Sequence, residues 1–149
     1  MSVQRTLVLC KPDAVQRALV GRIVSRFEEK GLKIVGLKML EVRQSLAHAH
    51  YQEHLEKPFF QELVAFITSS PVVALAIEGP NVVEVVRGLM GATNPQSAAQ
   101  GTIRGDFGIN LTKNLVHGSD SVASAKRELE LFFSDEELHD YSLTLAAWL

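Results

Sequence analysis

Between Pro71 and Gly79 runs Val72-Val73-Ala74-Leu75-Ala76-Ile77, an unbroken apolar stretch short enough for a strand and bounded at both ends by chain-turning residues. Such a stretch reads as a central strand, so the chain must assemble a sheet around it. Three other segments offer partners. Thr6 to Cys10 is a short apolar run closed by Lys11-Pro12-Asp13, a buried strand entering a loop. From Leu32 to Arg43, Val35, Leu37 and Met39 alternate with Gly36 and Lys38, giving another strand. Val116 and the apolar residues before it form the last, with His117 at its end.

Helical stripes separate these runs. Leu19, Val20, Ile23, Val24 and Phe27 make one apolar face opposite Arg22, Arg26 and Glu29, and Gly31 is the stop. Ser45 caps a polar, histidine-rich segment, and after Lys57-Pro58 a further helix carries Phe60, Leu63, Val64 and Ile67. Pro80 opens a helix with Val82, Val83, Val86, Leu89 and Met90 on its buried side. Gly91 to Asn114 reads as a long connection, of the kind that is functional or disordered. Ser121 starts the last helix, with Val122, Ala125, Leu129 and Phe132 at helical spacing, and the apolar tail from Leu143 to Leu149 should dock. The order predicts an α+β protein: two βαβ halves forming a ferredoxin-like sandwich, a four-stranded antiparallel sheet with helices packed on it.

A chain of 149 residues suits one domain, residues 1–149. With 15 Lys+Arg against 17 Asp+Glu the formal net charge is −2, so there is no general basic field and no nucleic-acid partner is predicted. Any anion site must be local. Cys10, the one cysteine, fits a small core residue in a reducing compartment. No apolar stretch approaches membrane-spanning length, and no cleavable apolar leader is legible. The expectation is a cytoplasmic protein with no membrane partner.

The chemistry centres on Asn114-Leu115-Val116-His117-Gly118-Ser119-Asp120-Ser121, one histidine among small hydrogen-bonding residues at a strand-to-helix junction. An imidazole with a reference pKa of about 6.5 offers a neutral, attacking nitrogen near neutrality, and Gly118 leaves backbone room beside it. Lys11, Arg87 and Arg104, with Thr93 and Asn94 nearby, could together neutralise a polyphosphate. Two decoys fail. His50-Tyr51-Gln52-Glu53-His54 matches a zinc-hydrolase pattern but sits in a polar, solvated segment. Gly31 to Lys38 imitates a phosphate loop without the lysine and hydroxyl that a Walker motif needs.

Lys11-Pro12-Asp13-Ala14-Val15-Gln16-Arg17, Lys57-Pro58-Phe59-Phe60, the Gly91-to-Asp106 loop and His117-Gly118-Ser119-Asp120-Ser121 occur in the order found in nucleoside diphosphate kinases, which the chain resembles from end to end. That resemblance implies transfer of a γ-phosphate from a nucleoside triphosphate to a nucleoside diphosphate, by a ping-pong route through phosphohistidine. It implies Mg²⁺ held on the nucleotide phosphates, with no metal ligand from the protein. It implies His117 as nucleophile, Ser119 and Glu128 supporting its ring, and Arg87, Thr93 and Arg104 on the phosphates. Lys11 and Asn114 would reach the sugar hydroxyls and the transferring phosphate. Phe59 and Leu111 would clamp the base, giving broad base specificity, and Tyr51 would line the pocket. Ala14, Ala18 and Lys57 depart from the residues common in the family, at positions outside these roles. The resemblance also implies a homo-oligomer, a hexamer in preference to a tetramer, because the tail through Trp148-Leu149 runs past the end of the shorter family members and such an extension takes part in subunit contacts in the longer ones. The alternatives are a catalytically silent binding or regulatory protein on the same fold, and a zinc hydrolase built on His50 and His54.

Overall fold

The computed structural model describes residues 2–149. Strand β1 (Val3–Cys10) is followed by helices α1 (Pro12–Gln16) and α2 (Val20–Glu29), strand β2 (Lys33–Leu40), and helices α3 (Gln44–His50) and α4 (Phe60–Ile67). Strand β3 (Val72–Pro80), helices α5 (Val82–Met90) and α6 (Ile103–Phe107), strand β4 (Val116–Gly118) and helix α7 (Val122–Phe132) complete the core. The sheet runs β2-β3-β1-β4, with every neighbouring pair antiparallel. This is the expected ferredoxin-like α+β sandwich, shared with the solved structures compared below.

The two central strands bury both faces, which is why their sequences are apolar without alternation. Val8, Cys10, Val73, Leu75 and Ile77 meet Ile23, Phe27, Val82 and Val86 of α2 and α5 in one core. Leu7, Leu9, Val72, Ala74 and Ala76 meet Val64, Ile67, Leu129 and Phe132 of α4 and α7 in the other. Burial pushes the Cys10 thiol up to about 12, with Asp13 adding to the effect, so it stays protonated.

Several elements differ from their sequence reading. Strand β2 shifts register between Ile34 and Gly36, and the extra residue, Val35, turns into the core. The bulge reverses the faces beyond it, leaving Leu37 and Met39 at 56% and 61% exposure. Helix α3 begins one residue before Ser45, with no side-chain cap. Pro80 ends β3 instead of opening α5, and Asn81 makes the turn at a left-handed φ of 50°. The Gly91–Asn114 connection is ordered: it holds a 3₁₀ turn at Pro95–Ser97 and α6, whose Thr102 hydroxyl accepts from the Gly105 amide. Gly91 has φ 86°, and a Cβ there would fall 2.4 Å from the Thr102 hydroxyl, so both conformation and space require glycine. Lys11-Pro12-Asp13 opens helix α1, not a plain loop.

At the C-terminal end Ser121 caps α7 as predicted, its hydroxyl accepting from the Ser124 amide, although Val122 faces outward. The tail docks only in part. Tyr141 donates its hydroxyl to the Ile34 carbonyl and Leu149 lies against Gly31, while Trp148 is 88% exposed. Among the described residues no helix is long and apolar enough to cross a membrane.

Candidate active site

The ends of β1 and β4 come together by register: Leu9 pairs with His117 and Cys10 with Val116. Lys11 therefore leaves β1 beside the strand that carries the histidine. His117 is the middle residue of β4, not its last. Leu115, just upstream, adopts a left-handed φ of 75°, a conformation costing roughly 1–3 kcal/mol for a residue with a Cβ. Two bonds hold it there. Its amide donates to Asp13 Oδ2 at 3.0 Å and its carbonyl accepts from the Lys11 amide at 2.8 Å. Asp13 thus sets the path of β4, a role that its place after Pro12 did not announce.

A cleft of about 390 Å³ opens over this junction, lined by Lys11, Tyr51, Phe59, Arg87, Thr93, Arg104, Asn114 and His117, with Glu128 at its base. These are the sequence-predicted residues, save two. Ser119 is buried behind His117, and Leu111 is exposed and does not line the cleft. Five titratable lining residues lie outside the set that the sequence assigns to the site: His50, Glu53, His54, Asp120 and Arg127. In the sequence His50 and His54 show only as a zinc motif. That motif fails here because α3 ends at His50 and His54 belongs to a separate 3₁₀ turn, so the two do not share a helix face.

His117 Nε2 lies 2.8 Å from Glu128 Oε1, and the Ser119 hydroxyl donates to the same oxygen at 2.7 Å. Burial would raise the Glu128 pKa, but the hydrogen bond and charge of His117, with the Ser119 hydroxyl, overcome it and hold the carboxyl at about 2. Glu128 is therefore an ionised acceptor, and the ring proton of His117 belongs on Nε2. Nδ1 keeps its lone pair. Arg127 approaches the other carboxylate oxygen at 3.8 Å and donates to the Ala49 carbonyl at 3.1 Å, tying α7 to the end of α3.

Gly118 serves packing more than access: a Cβ there would sit 2.6 Å from the Met90 sulfur on α5. From the same helix Arg87 donates to the Gly118 carbonyl at 3.1 Å.

Arg104 is buried on α6 and gives three N–H groups to backbone carbonyls, those of Asn114 at 3.1 Å, Gly91 at 3.1 Å and Val116 at 2.6 Å. It fastens the long connection to β4, and two of its five N–H groups are left over from these bonds. Lys11 Nζ donates to Asn114 Oδ1, whose amide nitrogen donates to the Thr93 carbonyl at 2.9 Å. Burial lowers the Lys11 pKa to about 8, Asp13 opposing and Arg104 adding to the effect. Burial likewise lowers Arg104 to about 10, helped by Arg87, and leaves it charged at neutral pH. Lys11, Arg87 and Arg104 thus line the same cleft as the His117 ring, in a protein of net negative charge.

Residues 4–138 match the family described as nucleoside diphosphate kinase. The chain is 57% identical over 147 residues to the nucleoside diphosphate kinase of Pelotomaculum thermopropionicum and 55% identical over 147 residues to that of Macrococcus caseolyticus, covering 99% of each chain. A halophilic nucleoside diphosphate kinase from Halobacterium salinarum, solved in complex with CDP, has a TM-score of 0.96 at 53% identity, over 99% of this chain and 98% of that one. A transition state mimic of the enzyme from Borrelia burgdorferi, with bound vanadate and ADP, has a TM-score of 0.92 at 40% identity, over 98% and 96% of the two chains.

Proposed function

The chain belongs to the nucleoside diphosphate kinase family and is a nucleotide phosphotransferase, and we propose that it works through a phosphohistidine on Nδ1 of His117. One observation carries this reading: Glu128 occupies Nε2, so the free lone pair of the ring is at Nδ1, in a cleft lined by Lys11, Arg87 and Arg104. In the first half-reaction Nδ1 attacks the γ-phosphorus of a nucleoside triphosphate. The bond from phosphorus to the β–γ bridging oxygen breaks, and its electron pair leaves with the diphosphate. The imidazolium formed keeps its Nε2 proton, donated to Glu128, whose negative charge balances it. The second half-reaction reverses these steps with a terminal oxygen of another nucleoside diphosphate as attacking atom, a ping-pong route. The silent-protein alternative is not favoured, since the chain and its relatives agree on a kinase.

Phosphoryl transfer needs positioning and charge neutralisation more than covalent help from the protein. Arg87 and the spare N–H groups of Arg104 serve the phosphates, with Thr93 at the cleft wall. Lys11 and Asn114, already bonded to each other, present an ammonium and an amide to the sugar hydroxyls and the transferring phosphate. Phe59, half-exposed on the rim, offers a face to any base. Leu111 shares that role only through the family resemblance, and Tyr51 acts as wall.

Mg²⁺ fits as a passenger on the phosphates. Among the described residues the one cluster with metal-ligand spacing is His50, His117 and Glu128, a nitrogen-rich set unsuited to a hard cation. When bound, Mg²⁺ supplies charge neutralisation to the polyphosphate. We further propose that residues 1–149 act as one domain in the cytoplasm and assemble into a homo-oligomer, a hexamer in preference to a tetramer. Exposed Ile109, Leu145, Trp148 and Leu149 support association.

The test is labelling with γ-labelled ATP and Mg²⁺. Acid-labile, base-stable label is expected on the protein and is absent from His117→Ala. A His117→Ala protein that labels and turns over like its parent removes the nucleophile from this reading.

A further inference from the structure

The relay leaves one buried group beside the nucleophile without a task. His50 is 4% exposed, and neither of its ring nitrogens has a hydrogen-bond partner. Unpaired polar atoms in such a place are costly and call for a physical reason. The ring is wedged between aromatic neighbours, with centroids 4.6 Å from His117, 4.7 Å from Tyr51 and 5.3 Å from Phe132.

One donor atom each from His50, His117 and Glu128 lies within 4.8 Å of the others. Two imidazole nitrogens and an ionised carboxylate are the donor set with which zinc makes a tetrahedral site with an open position. Bonds of about 2.0–2.2 Å separate donors on a tetrahedral ion by roughly 3.3–3.6 Å. The His117–Glu128 pair, at 2.8 Å, must open a little and His50 must close in. Arg127 stands at the other carboxylate oxygen, so Oε1 remains the one to give.

We propose that His50, His117 and Glu128 form an inhibitory site for a zinc-type dication, which locks His117 in the tautomer that cannot attack phosphorus. The inference rests on the reading of His117 as nucleophile. The metal takes the Nε2 lone pair and displaces the proton that Nε2 gave to Glu128. That proton passes through water to Nδ1, where it occupies the attacking lone pair. Nothing is oxidised or reduced, and no proton is lost. Mg²⁺, which prefers oxygen and sheds water reluctantly, does not compete.

The experiment uses the whole protein and zinc alone, titrated against a chromogenic chelator. The expected result is one zinc per chain, with affinity at least tenfold weaker in both His50→Phe and His50→Leu. In parallel, labelling by γ-labelled ATP is measured in excess Mg²⁺ at buffered free zinc. Zinc slows labelling of the parent at least tenfold, and of each His50 variant less than twofold relative to its own zinc-free rate. Equal zinc affinity in parent and variants overturns the proposal, as does bound zinc that leaves labelling unchanged. Should both variants fail to fold, one equivalent of cobalt(II) added to the parent decides: tetrahedral absorption bands support the site, and their absence overturns it. Parental labelling of His117→Ala without zinc sinks the nucleophile assignment instead, while the titration still judges the metal site.

Discussion

Replacing Glu128 by Gln removes a charge and almost nothing else, which makes it a sharp probe of how His117 is prepared. Oε1 now accepts from both His117 Nε2, at 2.8 Å, and the Ser119 hydroxyl, at 2.7 Å. A hydrogen bond to a charged group contributes about 1.5–3 kcal/mol, and the bond to His117 strengthens as the ring becomes cationic during transfer. At 1.36 kcal/mol per factor of ten, phosphorylation should slow roughly 10- to 150-fold. A glutamine can also present its NH₂ to Nε2, which moves the ring proton to Nδ1 and slows attack further. The assay is single-turnover labelling by rapid quench at saturating nucleotide, with circular dichroism to verify the fold. A folded Glu128→Gln protein that labels at the parental rate refutes the argument that this carboxylate sets the tautomer and balances the charge.

Other perturbations separate binding from support. Arg104→Lys strands at least one of the Gly91, Asn114 and Val116 carbonyls; at about 1–3 kcal/mol per stranded group and roughly 2–4 °C per kcal/mol, the melting temperature should fall by about 2–12 °C. The same variant should impair every nucleotide alike, and loss confined to one base contradicts the phosphate role. Phe59→Ala should raise KM for purine and pyrimidine substrates with kcat little changed, a stacking loss of about 1–3 kcal/mol. Because burial puts the Lys11 pKa at about 8, kcat/KM should fall above that pH as the free enzyme loses the ammonium, and Lys11→Arg should remove the limb. Stability moves the opposite way. An unfolded lysine, at about 10.4, binds more protons than the folded one between these values, so this residue's contribution to stability rises with pH across that window.

What the sequence discloses depends on how local the cause is. Val72 to Ile77 is legible because burial on both faces leaves an unbroken apolar run, and Ser121 because a cap acts within one turn. The faces of β2 are not legible, since a single bulged residue at Val35 reverses a period-two pattern without any marker in composition. Helix α6 hides because five residues show no helical period, and its Thr102 cap lies among other small polar residues. At the site, His117 and the cations are legible from residue type and order. Asp13 and Arg127 are not, because their work is done on backbone atoms: the amide of Leu115, distant in sequence, and the carbonyl of Ala49. His50 is legible only as half of a helical pair that the end of α3 prevents.

Strand β1 sends Leu7 and Leu9 into one core and Val8 and Cys10 into the other, then delivers Lys11 to the cleft and pairs with the strand bearing His117. The His117 ring is thus bolted to a strand gripped by a core on each face. Heat should therefore silence the enzyme only when the whole structure gives way, with no milder stage in which the scaffold survives and the chemistry has already gone slack.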